Sequence, residues 1–180
     1  RMMRPYLWMA VLYLTLADAA GHGLAAALSA LPLTQVFYGM VSKGFPLASI
    51  AQELNRKLKA IMPADRFVAA ILAAVDIDHH TLELWNGGLP DALFVDAQGE
   101  IEKRWASRHP PLGVMPPAFF SGSTETFHFH HPGDLVIFSD GLVEIDTGQG
   151  NAFDMSMLEG VLQHTPRGHS LAGIRDHVDV

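Results

Sequence analysis

The chain has 180 residues, about half of them hydrophobic, which is enough to bury a sizeable core in one domain. Its net charge of −7 argues against a nucleic-acid groove or an anionic membrane surface as partner. With no cysteine it has neither disulfides nor a thiolate metal site, which fits a cytoplasmic protein. The apolar run from Pro5 to Ala17 is shorter than the ~20 residues a membrane helix needs. Its aromatic and β-branched residues Tyr6, Trp8, Val11 and Tyr13 favour a buried strand. From Leu24 to Lys43 the apolar spacing is helical. Pro32 lies inside that stretch, where an interior proline costs ~3 kcal/mol, so a kink or two helices is expected. Pro46 opens a second amphipathic helix through Ile50, Leu54, Leu58 and Ile61, ending before Pro63. Its charged residues Glu53, Arg56, Lys57 and Lys59 read as a solvated face.

Phe67 to Ile77 reads as a buried strand or core helix. The turn Asp76-Ile77-Asp78-His79-His80 and the alternation Thr81 to Trp85 then favour a hairpin. A second hairpin is predicted from Ala92 to Val95, through the turn Asp96 to Gly99, into Glu100 to Glu102. Glu125 to Phe129 and Leu135 to Phe138 read as further strands, and Met155 to Leu162 and Leu171 to Val178 as helices. There are no repeats and no linker. Antiparallel strands with helices segregated toward both ends of the sequence imply an α+β layered fold.

Two stretches carry the chemistry. In Leu16-Ala17-Asp18-Ala19-Ala20-Gly21-His22-Gly23-Leu24 an apolar run ends in an acid, and a glycine-flanked turn leads into an Ala-rich helix. In Pro132-Gly133-Asp134-Leu135-Val136-Ile137-Phe138-Ser139-Asp140-Gly141-Leu142-Val143-Glu144 a short apolar strand again ends in an acid followed by glycine. Between them lie the turns Trp85-Asn86-Gly87-Gly88-Leu89-Pro90 and His109-Pro110-Pro111-Leu112-Gly113-Val114. Together these motifs resemble the bacterial SpoIIE-type branch of the metal-dependent protein phosphatases (PPM), over roughly Leu14 to Glu144.

The resemblance implies a PPM-like antiparallel β-sandwich flanked by α-helices. It implies a protein serine/threonine phosphatase that hydrolyses a phosphoprotein with a water activated by two Mn²⁺ or Mg²⁺ ions. Asp18 would bridge the metals, the Ala19 carbonyl would add a ligand, and Asp140 would bind one metal; Asp18 and Asp140 would be the catalytic acids. Such ions want carboxylate and carbonyl oxygens. A sensor or receiver module fused in the parent chain is also implied, as is a place in bacterial signalling.

The chain departs from the family pattern in three places. The family has a further Asp upstream, and Arg1 to Thr15 contains no acid. It ends on an Asp-Asp strand that Asp176-His177-Val178-Asp179-Val180 matches only faintly. Leu89 stands where the family's turn carries His. The first residue is Arg and the last motif is faint, so residues 1–180 are expected to be one truncated domain. Two rival readings remain: a catalytically degenerate module that binds a regulatory partner, and a small-molecule phosphatase on the same site.

Each singled-out residue also has a plain structural reading. Asp18 could cap the turn before the Leu24 helix, and Asp140 could be a turn acid. His22 reads as a turn or rim residue before a proton donor. Glu144 reads as a contact to a nearby turn. His128, His130 and His131 read as a surface cluster before a zinc site, His79 and His80 as turn residues, and Gly87 and Gly88 as tight-turn glycines.

Overall fold

The structure, a computed structural model, describes residues 11–19, 24–63, 65–143 and 155–164. It has four layers: two helices, a four-stranded sheet, a three-stranded sheet and a further helix. The first sheet contains β1 (Val11–Ala19), β2 (Val68–Asp76), β3 (Thr81–Gly87) and β6 (Glu125–His128), in the order β1-β2-β3-β6. The second contains β4 (Ala92–Asp96), β5 (Ile101–Trp105) and β7 (Gly133–Val136), in the order β5-β4-β7. Every neighbouring pair is antiparallel.

Side-chain parity in β2 explains the layering. Val68, Ala70, Leu72 and Ala74 pack toward the helices α1 (Leu24–Val41) and α2 (Leu47–Ile61). Ala69, Ile71 and Ala73 pack toward the second sheet. Successive strand residues point to opposite faces, so a strand covered on both sides reads as one continuous apolar run. That burial resolves Phe67 to Ile77 as a strand. In β4, Ala92 and Phe94 face the first sheet, while Leu93 and Val95 face α4 (Met155–His164) through Leu158 and Leu162.

Helix α2 follows its sequence pattern. Leu47, Ile50, Leu54 and Leu58 form one buried stripe, each worth roughly 1.5–3 kcal/mol relative to exposure. Pro46 stands at its N-cap, and the Met62 N–H bonds the Leu58 carbonyl at 2.9 Å before Pro63. The β2–β3 turn is built as its residues predict. Asp76 accepts the His79 N–H at 3.0 Å, and His80 takes a positive φ of 52°. The His79 backbone bond, with its ring contact, holds the Asp76 carboxyl below the usual carboxylate range.

Some expectations shift. The chain from Leu24 runs as one helix through Pro32 to Val41 rather than as two. The last paired strand is Gly133–Val136, not Leu135 to Phe138. Its partner β4 begins only at Ala92, where Leu93 opposes Val136, so little of β4 is left beyond that point to pair Phe138. Asp140 therefore does not end a strand; it opens the single helical turn α3 (Asp140–Val143). Residues Pro5 to Ala10 and the predicted helix Leu171 to Val178 lie outside the described residues. Among the described residues, no helix is long and apolar enough to cross a membrane.

Candidate active site

Asp18 is placed by the alternation of β1. Leu14 and Leu16 pack between the sheets, whereas Val11, Tyr13 and Ala19 pack toward the helices. Asp18 shares the parity of Leu14 and Leu16 and so belongs to the inter-sheet face, half-buried near the last rung of β1. It pairs with Ala69, and Ala19 pairs with Val68. A Cβ added at Gly88 would come within 3.1 Å of the Ala69 methyl. The Gly88 turn therefore packs against Ala69, the cross-strand partner of Asp18.

The register shows which strand ends meet. The C-terminal end of β1 lies beside the N-terminal end of β2, which lies beside the C-terminal end of β3. A short turn then enters β4, whose first residues pair with the last of β7. The chains that lead to Asp18 and Asp140 thus leave the sandwich at the same end. Aromatic contacts fix the side. Phe127 of β6 touches Phe94 of β4 at 5.3 Å and Trp105 of β5 at 5.9 Å. The β5 edge therefore lies over β6, which turns the β7 edge toward β1. Asp140 is exposed at the start of α3, and Asp18 is half-buried.

Two buried asparagines build the loops at this end. Asn86 donates from Nδ2 to the carbonyls of Pro90 at 2.9 Å and Trp105 at 3.3 Å, and its Oδ1 accepts the Leu89 N–H at 3.3 Å. The His109 N–H bonds the Asn86 carbonyl at 3.3 Å, its ring stacks on Trp85 at 5.4 Å, and Ser107 Oγ accepts the Gly88 N–H at 2.7 Å. Asn55 of α2 accepts the Gly113 N–H at 2.9 Å and donates to the Met115 carbonyl at 3.0 Å. Val68 and Leu112 exchange backbone bonds at 2.9 and 2.8 Å, so the 109–113 loop continues the sheet where β3 has ended. Val68 is also the rung opposite Ala19.

The glycines of this turn are required by packing as well as by geometry. A Cβ on Gly87 would overlap the Trp85 ring and lie 2.8 Å from the Pro110 carbonyl oxygen. Gly88 has φ of +90°, a region L side chains rarely adopt. Gly87→Ala is expected to lower unfolding free energy by about 1–3 kcal/mol, read from urea denaturation, because the added methyl meets fixed backbone.

Leu89 is a core residue, 2% exposed between the sheets. The side chain at the position where the family carries His is thus part of the apolar core here. Arg104 ties this end to the outer helix, bonding Asp91 at 3.2 Å and Glu159 at 2.5 Å. Of the helix α2 charges, Glu53 and Arg56 pair at 2.6 Å at the surface, while Lys59 donates to the Val114 carbonyl at 3.1 Å.

The donors Asp18, Ala19 and Asp140 are hard oxygens of the kind Mg²⁺ and Mn²⁺ take. Among the described residues there is no group of three or more His, Cys, Asp or Glu that could hold a metal ion. The chemistry of these oxygens fits a hard cation. His128, His130 and His131 are all exposed, as expected of a surface cluster. His22, Glu144, Asp176 and Asp179 lie outside the described residues.

Comparison with known proteins agrees with this architecture. The sequence pattern of the family described as Stage II sporulation protein E (SpoIIE) matches residues 10–179. The phosphoserine phosphatase RsbP of Bacillus subtilis (strain 168) is 27% identical over 131 residues, covering 71% of this chain and 32% of RsbP. The chain thus spans about a third of that curated relative's length. The PP2C phosphatase domain of SpoIIE from Bacillus subtilis superposes with a TM-score of 0.75 at 13% identity, covering 93% of this chain and 49% of that one. RsbX, solved in complex with magnesium, gives 0.68 at 18% identity, covering 94% and 73%. At these identities the structural likenesses show the fold.

Proposed function

We infer, from the fact that the chain belongs to the Stage II sporulation protein E family, that it carries a metal-dependent protein serine/threonine phosphatase domain. The observation that carries this reading is topological: the chains leading to Asp18 and Asp140 leave one end of the sandwich on one side. The proposed reaction is hydrolysis of a phosphoserine or phosphothreonine in a partner protein. Water forms a new P–O bond, the bond from phosphorus to the Ser or Thr oxygen breaks, and that oxygen takes up a proton. Bound Mn²⁺ or Mg²⁺, of which RsbX carries the magnesium case, would activate the water and neutralise the phosphoryl oxygens.

The chain's own residues hold and orient. Asp18, the Ala19 carbonyl and Asp140 would be the metal ligands. The β1–β2 ladder holds Asp18 and Ala19 at fixed height. The Asn86 and Asn55 networks hold the turns beside them, so the ligands are supported by rigid elements. We place the domain in the cytoplasm, in a bacterial signalling chain whose parent also carries a sensor or receiver module. RsbP, named a phosphoserine phosphatase, is about three times as long as the stretch it shares with this chain, which supports a parent with further segments.

The test is phosphate release from a phosphoserine peptide by the parent protein. Release is expected with Mn²⁺ or Mg²⁺ and is expected to stop on chelation, returning when metal is added back. Release that persists in excess chelator would overturn the reading. A second reading is a degenerate module that binds a regulatory partner; the chain's departures from the family pattern at the upstream Asp, the closing Asp-Asp and Leu89 favour it. That reading predicts partner binding insensitive to metal and no phosphate release.

A further inference from the structure

We propose that the groove between the two sheets, at the end away from Asp18 and Asp140, binds a small apolar monocarboxylate. The groove has a volume of about 500 Å³, within the range of ligand pockets. Its floor is apolar and comes from both sheets: Leu82 on one side, Phe94 and Leu135 on the other, with Phe129 between. Phe94 and Phe129 stack at 5.7 Å, which fixes the floor's shape.

Among the described residues, the polar side chains of the lining are three imidazoles, His80, His130 and His131, with no Asp, Glu, Lys or Arg. The chain as a whole carries 19 acids against 12 bases. A lining with no acid and three imidazoles is thus a place where an anion meets donors without like charge. Imidazole offers an N–H in either protonation state. His80 is already positioned, because its carbonyl accepts the Phe129 N–H at 3.0 Å and its ring lies 5.5 Å from that of Phe129.

The ligand class follows from these two halves. An apolar body covers the floor, and one carboxylate bonds the imidazoles at the rim. A second carboxylate would have to be buried against the floor with nothing to pair it, which is costly. A purely apolar molecule would leave the rim donors without a partner on the ligand. The groove is remote from the phosphatase end, and the proposal does not depend on the phosphatase reading.

The probe is octanoate, titrated by calorimetry into the intact chain, with 1-octanol as the uncharged comparison. Saturable binding at one site is expected. It should weaken about tenfold or more for 1-octanol and for the double variant His130→Gln/His131→Gln, as loss of charge-assisted hydrogen bonds implies. Both histidines are exposed, so the double variant is expected to fold. Leu135→Trp, which fills the floor, should abolish binding. Absence of saturable binding to the unaltered chain overturns the proposal. Equal octanoate affinity in the double variant overturns the carboxylate assignment, and unchanged affinity in Leu135→Trp overturns the groove as its location.

Discussion

Asp18→Asn in the parent protein is expected to reduce metal-dependent phosphate release by roughly a hundred- to a thousand-fold, since a lost ligand removes several kcal/mol of charge stabilisation. Asn matches Asp in shape and leaves the backbone pairing with Ala69 untouched. Folding stability is therefore expected to hold while the rate falls. The melting temperature of the metal-free protein is likewise expected not to drop. Asp140→Asn should act in the same direction from the other sheet's edge. Glu102→Gln, an exposed change on β5, is the matched control and should leave the rate unchanged. Initial rates on a phosphoserine peptide, with thermal melts alongside, separate these outcomes. A full rate in Asp18→Asn would remove Asp18 from the chemistry.

Asn86→Ala is expected to have the largest effect on stability. Asn86 is 3% exposed, and its amide serves the Pro90 carbonyl, the Trp105 carbonyl and the Leu89 N–H. Alanine keeps none of these bonds and leaves buried polar groups without partners. The expected loss is about 3 kcal/mol. For a domain of this size that corresponds to a fall of roughly 6–12 °C in Tm. Asn86→Asp keeps the acceptor and loses both donors, while putting a charge where it cannot be solvated, so it should rescue nothing. Urea denaturation at neutral pH gives the comparison. A midpoint within error of the unaltered protein would show that the turn is held by other contacts.

The sequence made the layers legible where one physical rule dominated. The α2 stripe at Leu47, Ile50, Leu54 and Leu58 follows helical spacing and is buried as expected. Residues 68–76 could be named only as apolar and short, because a strand buried on both faces loses its alternation. Asn55 was not legible. In a helix whose neighbouring charges face solvent it reads as one more polar residue, and its partners Gly113 and Met115 are 58 and 60 residues away. Leu89 read as a missing imidazole, whereas its burial shows the turn's side chain closing the core.

The candidate site divides in the same way. Asp18 and Asp140 stand out in the sequence because each closes an apolar run with a glycine within three residues, a pattern a family resemblance sharpens. That Asp140 starts a helical turn was not, since the end of β7 is set by where β4 begins. The convergence of the two strand ends depends on register and on the contacts of Phe127, neither of which is written in local sequence.

The most direct test is a Mn²⁺ titration of the parent protein by calorimetry, run on the unaltered chain, Asp18→Asn, Asp140→Asn and the double variant. If the two carboxylates grip one cation cluster, each single variant loses the same binding and the double variant loses little more, the non-additive result expected of groups that act together. If the losses instead add as independent terms, or if Mn²⁺ binds all four proteins alike, the two acids do not share a site.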